Sequence, residues 1–241
     1  MNPVLVACSH GTSDPAGRET IRRLLAAVRR DLPAFEVRGA TVDVETDILL
    51  PAVLDSLVRP AVVVPLLLSG GHHVHHDIAR AVADRPDRVA AAPLGPGPEL
   101  GEIGVRRLHE AGLRSDDVVV LGASGSTDAR AMASVDEAAQ RLSSLWGDRV
   151  AVGHVGRSGV PLRDVVAAAR RPGRRVVVSS YLLAPGHFQG ELEKAGADLV
   201  TAPLLTPSPD AALVDLVIRR FEEAALRVSW SIPTRVVVRK R

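Results

Sequence analysis

Five of the eight histidines fall in two short segments. His10 lies in Ser9-His10-Gly11-Thr12, and His72, His73, His75 and His76 lie in the stretch Ser69 to Asp77, behind Gly70 and Gly71. A neutral imidazole is both a ligand for first-row divalent metals and a proton acceptor, and glycines beside it let another group approach the backbone. The pair of segments therefore suits chemistry that handles a metal ion and moves protons. Carboxylates are available to join them. Asp43 and Glu45 sit two residues apart, on one face if they end a strand, and Asp47 follows; any of the three could flank the site. Ser9, Thr12, Ser13, Ser69, Gly70 and Gly71 offer hydroxyl and amide donors, which at helix N-termini make an anion site. If a helix starts near His73, His72 and His76 share a face at i,i+4 while His75 turns away. These three are expected to be peripheral.

The elements that must position these residues follow from the apolar pattern. Val4–Cys8, Val42–Val44, Ala61–Leu68 and Val89–Ala92 read as short buried strands. Amphipathic segments alternate with them: Gly17–Asp31, Leu49–Val58, Val74–Asp84 and Glu99–Gly112. Strand and helix alternation predicts an α/β fold with a parallel sheet flanked by helices, and ligands in such folds bind beyond the carboxyl ends of the strands. Both histidine segments stand there. The same series then recurs in Val118–Leu121, Arg130–Trp146, Val150–Val155, Leu162–Arg170, Arg174–Leu182, Phe188–Ala195, Asp198–Ala202 and Pro209–Ala225.

The recurrence is a repeat. A shift of 114 residues lays Val4-Leu5-Val6 on Val118-Val119-Val120, Gly11 on Gly125, Thr12 on Ser126, Asp14 on Asp128, Val62-Val63-Val64 on Val176-Val177-Val178 and His73 on His187. With a small slip, Ala92-Pro93-Leu94 recurs as Ala202-Pro203-Leu204 and Arg106-Arg107 as Arg219-Arg220. Two homologous lobes are predicted, 1–115 and 116–226, followed by a basic tail, 227–241. Ser124 aligns with His10, so the string Leu121-Gly122-Ala123-Ser124-Gly125 reads as a degenerate copy of the first motif and not as a nucleophile elbow, whose Gly-x-Ser-x-Gly pattern it leaves incomplete at Ser126.

Composition narrows the function. The chain has 241 residues, 46% hydrophobic and 24% charged, with a formal charge of +2, which argues against general disorder. No apolar run approaches the roughly 18 residues of a membrane span, and Met1–Gly11 lacks the basic flank of a signal peptide; the cytoplasm is the expected location. One cysteine, Cys8, precludes an internal disulfide and a cysteine zinc cage. Six aromatics are too few for a base-stacking surface, so no nucleic-acid partner is expected. Of 30 cationic residues only Lys194 and Lys240 are lysines, and arginine suits carboxylate-rich ligands because its planar fork binds them bidentately. Neither a dinucleotide-binding Gly-x-Gly-x-x-Gly after the first strand nor a phosphate-binding Gly-Lys-Ser/Thr occurs.

The strand followed by Ser-His-Gly-Thr, and the Val-Val-Val-Pro-Leu strand leading to Gly-Gly-His-His-Val-x-x-Asp-Ile, resemble the class II tetrapyrrole chelatases. The closer resemblance is to the sirohydrochlorin cobaltochelatases and ferrochelatases in their long, two-lobe form. Ala92-Pro93-Leu94-Gly95 and Tyr181 to Phe188 extend the resemblance over nearly all of residues 1–225. It implies a lyase with its active-site cleft between the lobes, inserting a divalent metal into sirohydrochlorin with release of two protons. Fe²⁺, giving sirohaem, is favoured, and Co²⁺ insertion for cobalamin synthesis is the alternative; the metal is substrate, and no cofactor is permanently bound. It further implies that His10 and His73 bind the metal and assist insertion, with Asp43, or in reserve Glu45, as the acidic partner. Ser9, Thr12, Ser69, Gly70, Gly71 and His187 would contact the tetrapyrrole. The chain departs from the family in having Ser-His-Gly-Thr for Gly-His-Gly-Ser, Ala79 where proline often stands, and Ser124 opposite His10. The last departure implies a single active site, in the first lobe. The expected assembly is a monomer or homodimer. Outside this class, a histidine-rich metal carrier would not need His10 at a second strand end, and a ligand-binding protein without chemistry would need no paired bases.

Overall fold

The computed structural model describes residues 2–71, 73–83 and 85–227, with residues 73–75 described by their backbone. His72 and the tail beyond Arg227 lie outside the described residues. Among the described residues eight parallel strands form two sheets of four. The first lobe runs β1 (Val4–Ser9), α1 (Pro15–Asp31), β2 (Val37–Thr41), α2 (Leu50–Asp55), β3 (Ala61–Pro65), α3 (Ala79–Ala83), β4 (Arg88–Ala90) and α4 (Pro98–Glu110). The second runs β5 (Val118–Ala123), α5 (Ala129–Trp146), β6 (Ala151–His154), α6 (Leu162–Ala169), β7 (Val176–Ser180), α7 (His187–Glu193), β8 (Leu199–Val200) and α8 (Ala211–Ala225). Strand order is β2-β1-β3-β4 in one sheet and β6-β5-β7-β8 in the other. The two-lobed α/β architecture read from the repeat is the observed one.

The strands form where the apolar runs place them. β1 and β3 are buried along nearly their whole length, as parallel strands covered on both faces must be. One expectation fails. Val42–Val44 is not a strand: β2 ends at Thr41, and residues 42–45 form a turn. Asp43 and Glu45 therefore do not share a strand face. Val44 takes φ +67°, a left-handed conformation that costs a β-branched residue about 1–3 kcal/mol and persists only where its surroundings enforce it. Here they do: the Val44 amide donates to Asp43 Oδ1 (2.7 Å), the Glu45 amide to the Asp43 carbonyl (2.8 Å) and Thr41 Oγ1 to the Glu45 carbonyl (3.0 Å).

Each lobe hands its last helix to the other. α8 packs on β3 and β4 of the first sheet, and α4 packs on β7 and α5 of the second lobe. The repeated arginine pairs serve this exchange. Arg107 of α4 donates to the Leu204 carbonyl (3.3 Å), and Arg220 of α8 donates to the Pro93 carbonyl (3.0 Å). Each arginine thus reaches the Ala-Pro-Leu loop of the opposite lobe. One hydrophobic core consequently joins the inner faces of both sheets. It contains Leu5, Val62 and Val64 with Val119, Leu121 and Val177, and it is closed by Leu100 and Ile103 of α4 and Leu213 and Phe221 of α8. Separate smaller cores lie on the two outer faces. Among the described residues no helix is long and apolar enough to cross a membrane.

Candidate active site at the seam between the lobes

β1 delivers Ser9 and His10 to the carboxyl edge of the first sheet, and His10 is exposed there. The loop that carries it is clamped. The Asp43 amide donates to the His10 carbonyl (3.1 Å), and the Val42 amide to the Ser9 carbonyl (3.0 Å). Gly11 has φ +95°, and a Cβ there would overlap the Asp43 carbonyl oxygen. Only glycine fits, for backbone and space at once. Gly11→Ala is accordingly expected to push the 42–45 turn off the loop, lowering thermal stability by about 2–4 kcal/mol. Thermal unfolding of the variant checks it; an unchanged midpoint would show the clamp is absent in solution.

The second histidine segment follows β3. His73–Ile78 forms a π-helical turn that runs into α3, and Ile78 anchors it in the core. The predicted helix start at His73 is where the turn begins, but the pitch differs. In a π-turn the hydrogen bonds run i→i+5; the i,i+4 relation expected for His72 and His76 involves His72, which lies outside the described residues. Such turns are frequent at functional sites. His76 and Asp77 are exposed, whereas the side chains of His73 and His75 lie outside the described residues. The turn lies close to the end of β1: burial, with a contribution from the Asp77 charge, pushes the Cys8 thiol up to about 12. Cys8 is thus a packed thiol at neutral pH.

Across the seam the second lobe meets these loops by the same contacts twice over. A Cβ on Gly17 would lie 2.5 Å from the Pro185 carbonyl oxygen, and one on Gly71 would lie 3.3 Å from the Ala131 Cβ. Residues 17 and 131, and 71 and 185, are each 114 apart, so the repeat is also a rotational symmetry of the seam. Thr12 Oγ1 is 3.4 Å from where a Gly186 Cβ would stand, and His187 follows, exposed, at the start of α7. Tyr181 Oη donates to the Leu68 carbonyl (3.2 Å) just before Ser69; burial raises its pKa and keeps it a donor. Ser69, Gly70 and Gly71 are half-buried along this edge.

Two sequence expectations about the loop donors need correction. The first turn of α1 is not an open anion site. Asp14 Oδ1 accepts from the Ala16 amide (2.7 Å) and the Gly17 amide (3.2 Å), and Thr12 Oγ1 accepts from the Asp14 amide (3.1 Å). Glu45 is not a spare acid. Its Oε1 accepts from the Thr12 amide (3.2 Å) while Oε2 stands 3.6 Å from Arg18 Nε. The chain's own carboxylates have taken the amides. Asp43 remains the exposed acid beside His10, and Asp47 is exposed farther along the turn. In the second lobe the loop keeps the same construction, Ser126 Oγ accepting from the Asp128 amide (3.1 Å) and Asp128 capping α5. It lacks the imidazole, since Ser124 replaces His10.

His154 escaped the sequence reading, because an isolated histidine in an apolar stretch gives no motif. It ends β6 opposite Ala123, as Thr41 ends β2 opposite Ser9, and is 5% exposed. Burial lowers its pKa from the ordinary 6.5, against the Val160 backbone and the Asp136 charge, which raise it. The folded state thus resists protonation. Above the unfolded value both states are neutral; as pH falls below about 6.5 the unfolded chain takes the proton first and stability is lost. His154→Thr is expected to flatten that part of the acid limb in a stability-against-pH series. Parallel curves for the two proteins from pH 7 to 5 would refute this.

A chain of two interlocked α/β lobes, with a clamped histidine at one strand end and a histidine-led turn at the next, has the architecture of the class II tetrapyrrole chelatases. The CbiX family model matches residues 4–111, the first lobe with both histidine segments. No curated protein matches the chain. Among solved structures it superposes on SirB from Bacillus subtilis with Fe³⁺ at TM-score 0.76 and 17% identity, covering 93% of this chain and 96% of that one. SirB from Bacillus subtilis subspecies spizizenii in complex with cobalt gives 0.74 and 17%, with 94% and 96% covered. CbiX, described as the terminal enzyme for biosynthesis of sirohaem in denitrifying bacteria, gives 0.65 and 19%, with 95% and 100% covered. The resemblance read from the sequence therefore holds, as family pattern in the first lobe and as fold over nearly the whole chain.

Proposed function

We propose that this protein is a sirohydrochlorin chelatase, a lyase that inserts Fe²⁺ into sirohydrochlorin to give sirohaem, with Co²⁺ as the alternative metal substrate. The observation that carries this reading is the placement of His10. It is exposed at the end of β1, its carbonyl held by the Asp43 amide, beside β3, whose following loop opens the π-turn at His73, and two residues before Thr12, which abuts Gly186 of the second lobe. A flat macrocycle fits a cleft between two lobes better than a pocket within one. Insertion exchanges a divalent ion for two pyrrole protons, a charge-balanced exchange that needs acceptors for those protons. Neutral imidazoles at His10 and His73 hold the incoming metal, and each accepts one pyrrole proton on the nitrogen freed as its bond to the metal gives way to the macrocycle's. The Asp43 carboxylate offsets the positive charge that gathers during transfer; its Oδ1 accepts from Val44, and Oδ2 has no protein partner among the described residues. Ser9, Thr12, Ser69 to Gly71 and His187 border the macrocycle. The reaction takes place in the cytoplasm, and the protein acts as a monomer or homodimer.

The deciding experiment is anaerobic incubation with sirohydrochlorin and Fe²⁺ or Co²⁺, following tetrapyrrole absorbance against the rate without protein. Acceleration is expected with both metals, and the ratio of the two kcat/KM values assigns the metal. Failure to accelerate either reaction would sink the proposal.

A further inference from the structure

The loop after His10 has given its amides to Asp14 and Glu45, which moves its capacity to bind an anion onto a side chain. Arg18, in the first turn of α1, is held from one side only. Its Nε donates to the Thr12 carbonyl (2.8 Å) and stands 3.6 Å from Glu45 Oε2. The ion pair thus pins both backbone groups of Thr12, since the Thr12 amide donates to the other oxygen of the same carboxylate (3.2 Å). Among the described residues neither Nη1 nor Nη2 of Arg18 has a partner, and the side chain is 43% exposed. Its neighbours on α1 differ: Arg22 and Arg23 are both paired to Glu19, and Arg23 also donates to the Pro207 carbonyl (3.4 Å). Gly17, the residue before Arg18, abuts the Pro185 carbonyl, and Thr12 abuts Gly186, which places Arg18 at the seam, eight positions after His10. A guanidinium oriented by its Nε, with four N–H donors unfilled, is a preorganised fork for a carboxylate.

We propose that Arg18 receives a peripheral carboxylate of the tetrapyrrole at the first-lobe wall of the cleft. The inference rests on the sirohydrochlorin reading and adds a residue that decides affinity for polycarboxylate macrocycles. Arg18 is a binding residue: it takes no part in proton or metal transfer.

The test separates the two claims by measuring binding without metal. Sirohydrochlorin is titrated into the wild type, Arg18→Gln and Arg18→Lys at two ionic strengths, and kcat and KM for insertion are measured on the same proteins. Losing one charge-assisted pair is expected to weaken binding and raise KM about tenfold in Arg18→Gln, with kcat within about twofold. Arg18→Lys, which keeps the charge and loses the fork, is expected to recover part of that loss. Wild-type affinity should fall more steeply with salt than that of Arg18→Gln. Unchanged binding in Arg18→Gln overturns the inference, as does a fall in kcat at constant affinity, which would mean Arg18 acts only by holding the His10 loop. Wild type that binds sirohydrochlorin but inserts no metal, with Arg18→Gln weakened, overturns the chelatase reading and supports Arg18. Wild type that does not bind sirohydrochlorin overturns both.

Discussion

Replacing His10 with alanine is expected to lower kcat/KM for metal insertion by about 10²–10⁴, the range lost when a positioned proton acceptor is removed. Folding should be intact. The imidazole is exposed, and the contacts that hold the loop run through the His10 carbonyl, the Asp43 amide and Gly11, all of which survive the change. A thermal midpoint shift of more than a few degrees would mean that the loss is structural. The same measurement on three further variants locates the site. His73→Ala should match His10→Ala, because the two imidazoles share one ion. His75→Ala should keep most activity. His187→Ala should fall between, because in the second lobe Ser124 stands in place of a partner imidazole and a lone histidine holds a divalent ion weakly; its effect comes through contact with the macrocycle. Equal loss in His10→Ala and His187→Ala would show a site shared across the lobes and defeat the one-lobe assignment. Equal behaviour of His73→Ala and His75→Ala would defeat the choice within the histidine cluster.

The parts of this site that were legible in the sequence are those set by local pattern. Buried parallel strands read as apolar runs, and Ser9-His10-Gly11 and Gly70-Gly71 mark the turns that follow them. Val42–Val44 misled for a physical reason: alternation predicts a strand, but tight approach of Gly11 to the Asp43 carbonyl and the bonds around Glu45 hold Val44 in a left-handed turn that its own preference opposes. The π-pitch at His73 is likewise invisible to periodicity, because a six-residue turn anchored by Ile78 has too few apolar positions to declare a period. Glu45 looked like a spare acid and Asp14 gave no signal, and only coordinates reveal that the two consume amides counted as anion donors. The crossed helices are the largest omission. An amphipathic stripe shows which face of α4 or α8 is buried, not which sheet buries it. The one trace in the sequence was the recurrence of Arg-Arg on both helices and of Ala-Pro-Leu in both loops, now joined by Arg107 to Leu204 and Arg220 to Pro93.

That exchange has a consequence larger than any point substitution. The residues 116–241 are expected not to fold when expressed alone, despite holding a full repeat. Leu213, Leu216, Val217 and Phe221 on α8 are all buried, at 0–1% exposure, and α8 packs against β3 and β4 of the other lobe. At about 1.5–3 kcal/mol per large apolar side chain returned to water, the loss is comparable with the 5–15 kcal/mol of net stability an entire domain has. The second sheet also loses α4, and with it Leu100 and Ile103 from the shared core. Residues 1–115 alone face the mirror problem, keeping α4 without β7 to cover and losing α8. The two halves together carry every element, and residues 114–116 are exposed, ahead of the buried Asp117 that pairs with Arg175 inside the second half, so a cut between Ser115 and Asp116 breaks the chain and leaves that pair intact. Mixed or co-expressed halves are therefore expected to assemble into a complex of one copy each, with cooperative unfolding and recovered insertion activity. Circular dichroism and gel filtration on each half and on the mixture provide the check. A second half that is folded and monomeric by itself would mean that the lobes close independently and that the exchanged helices add little.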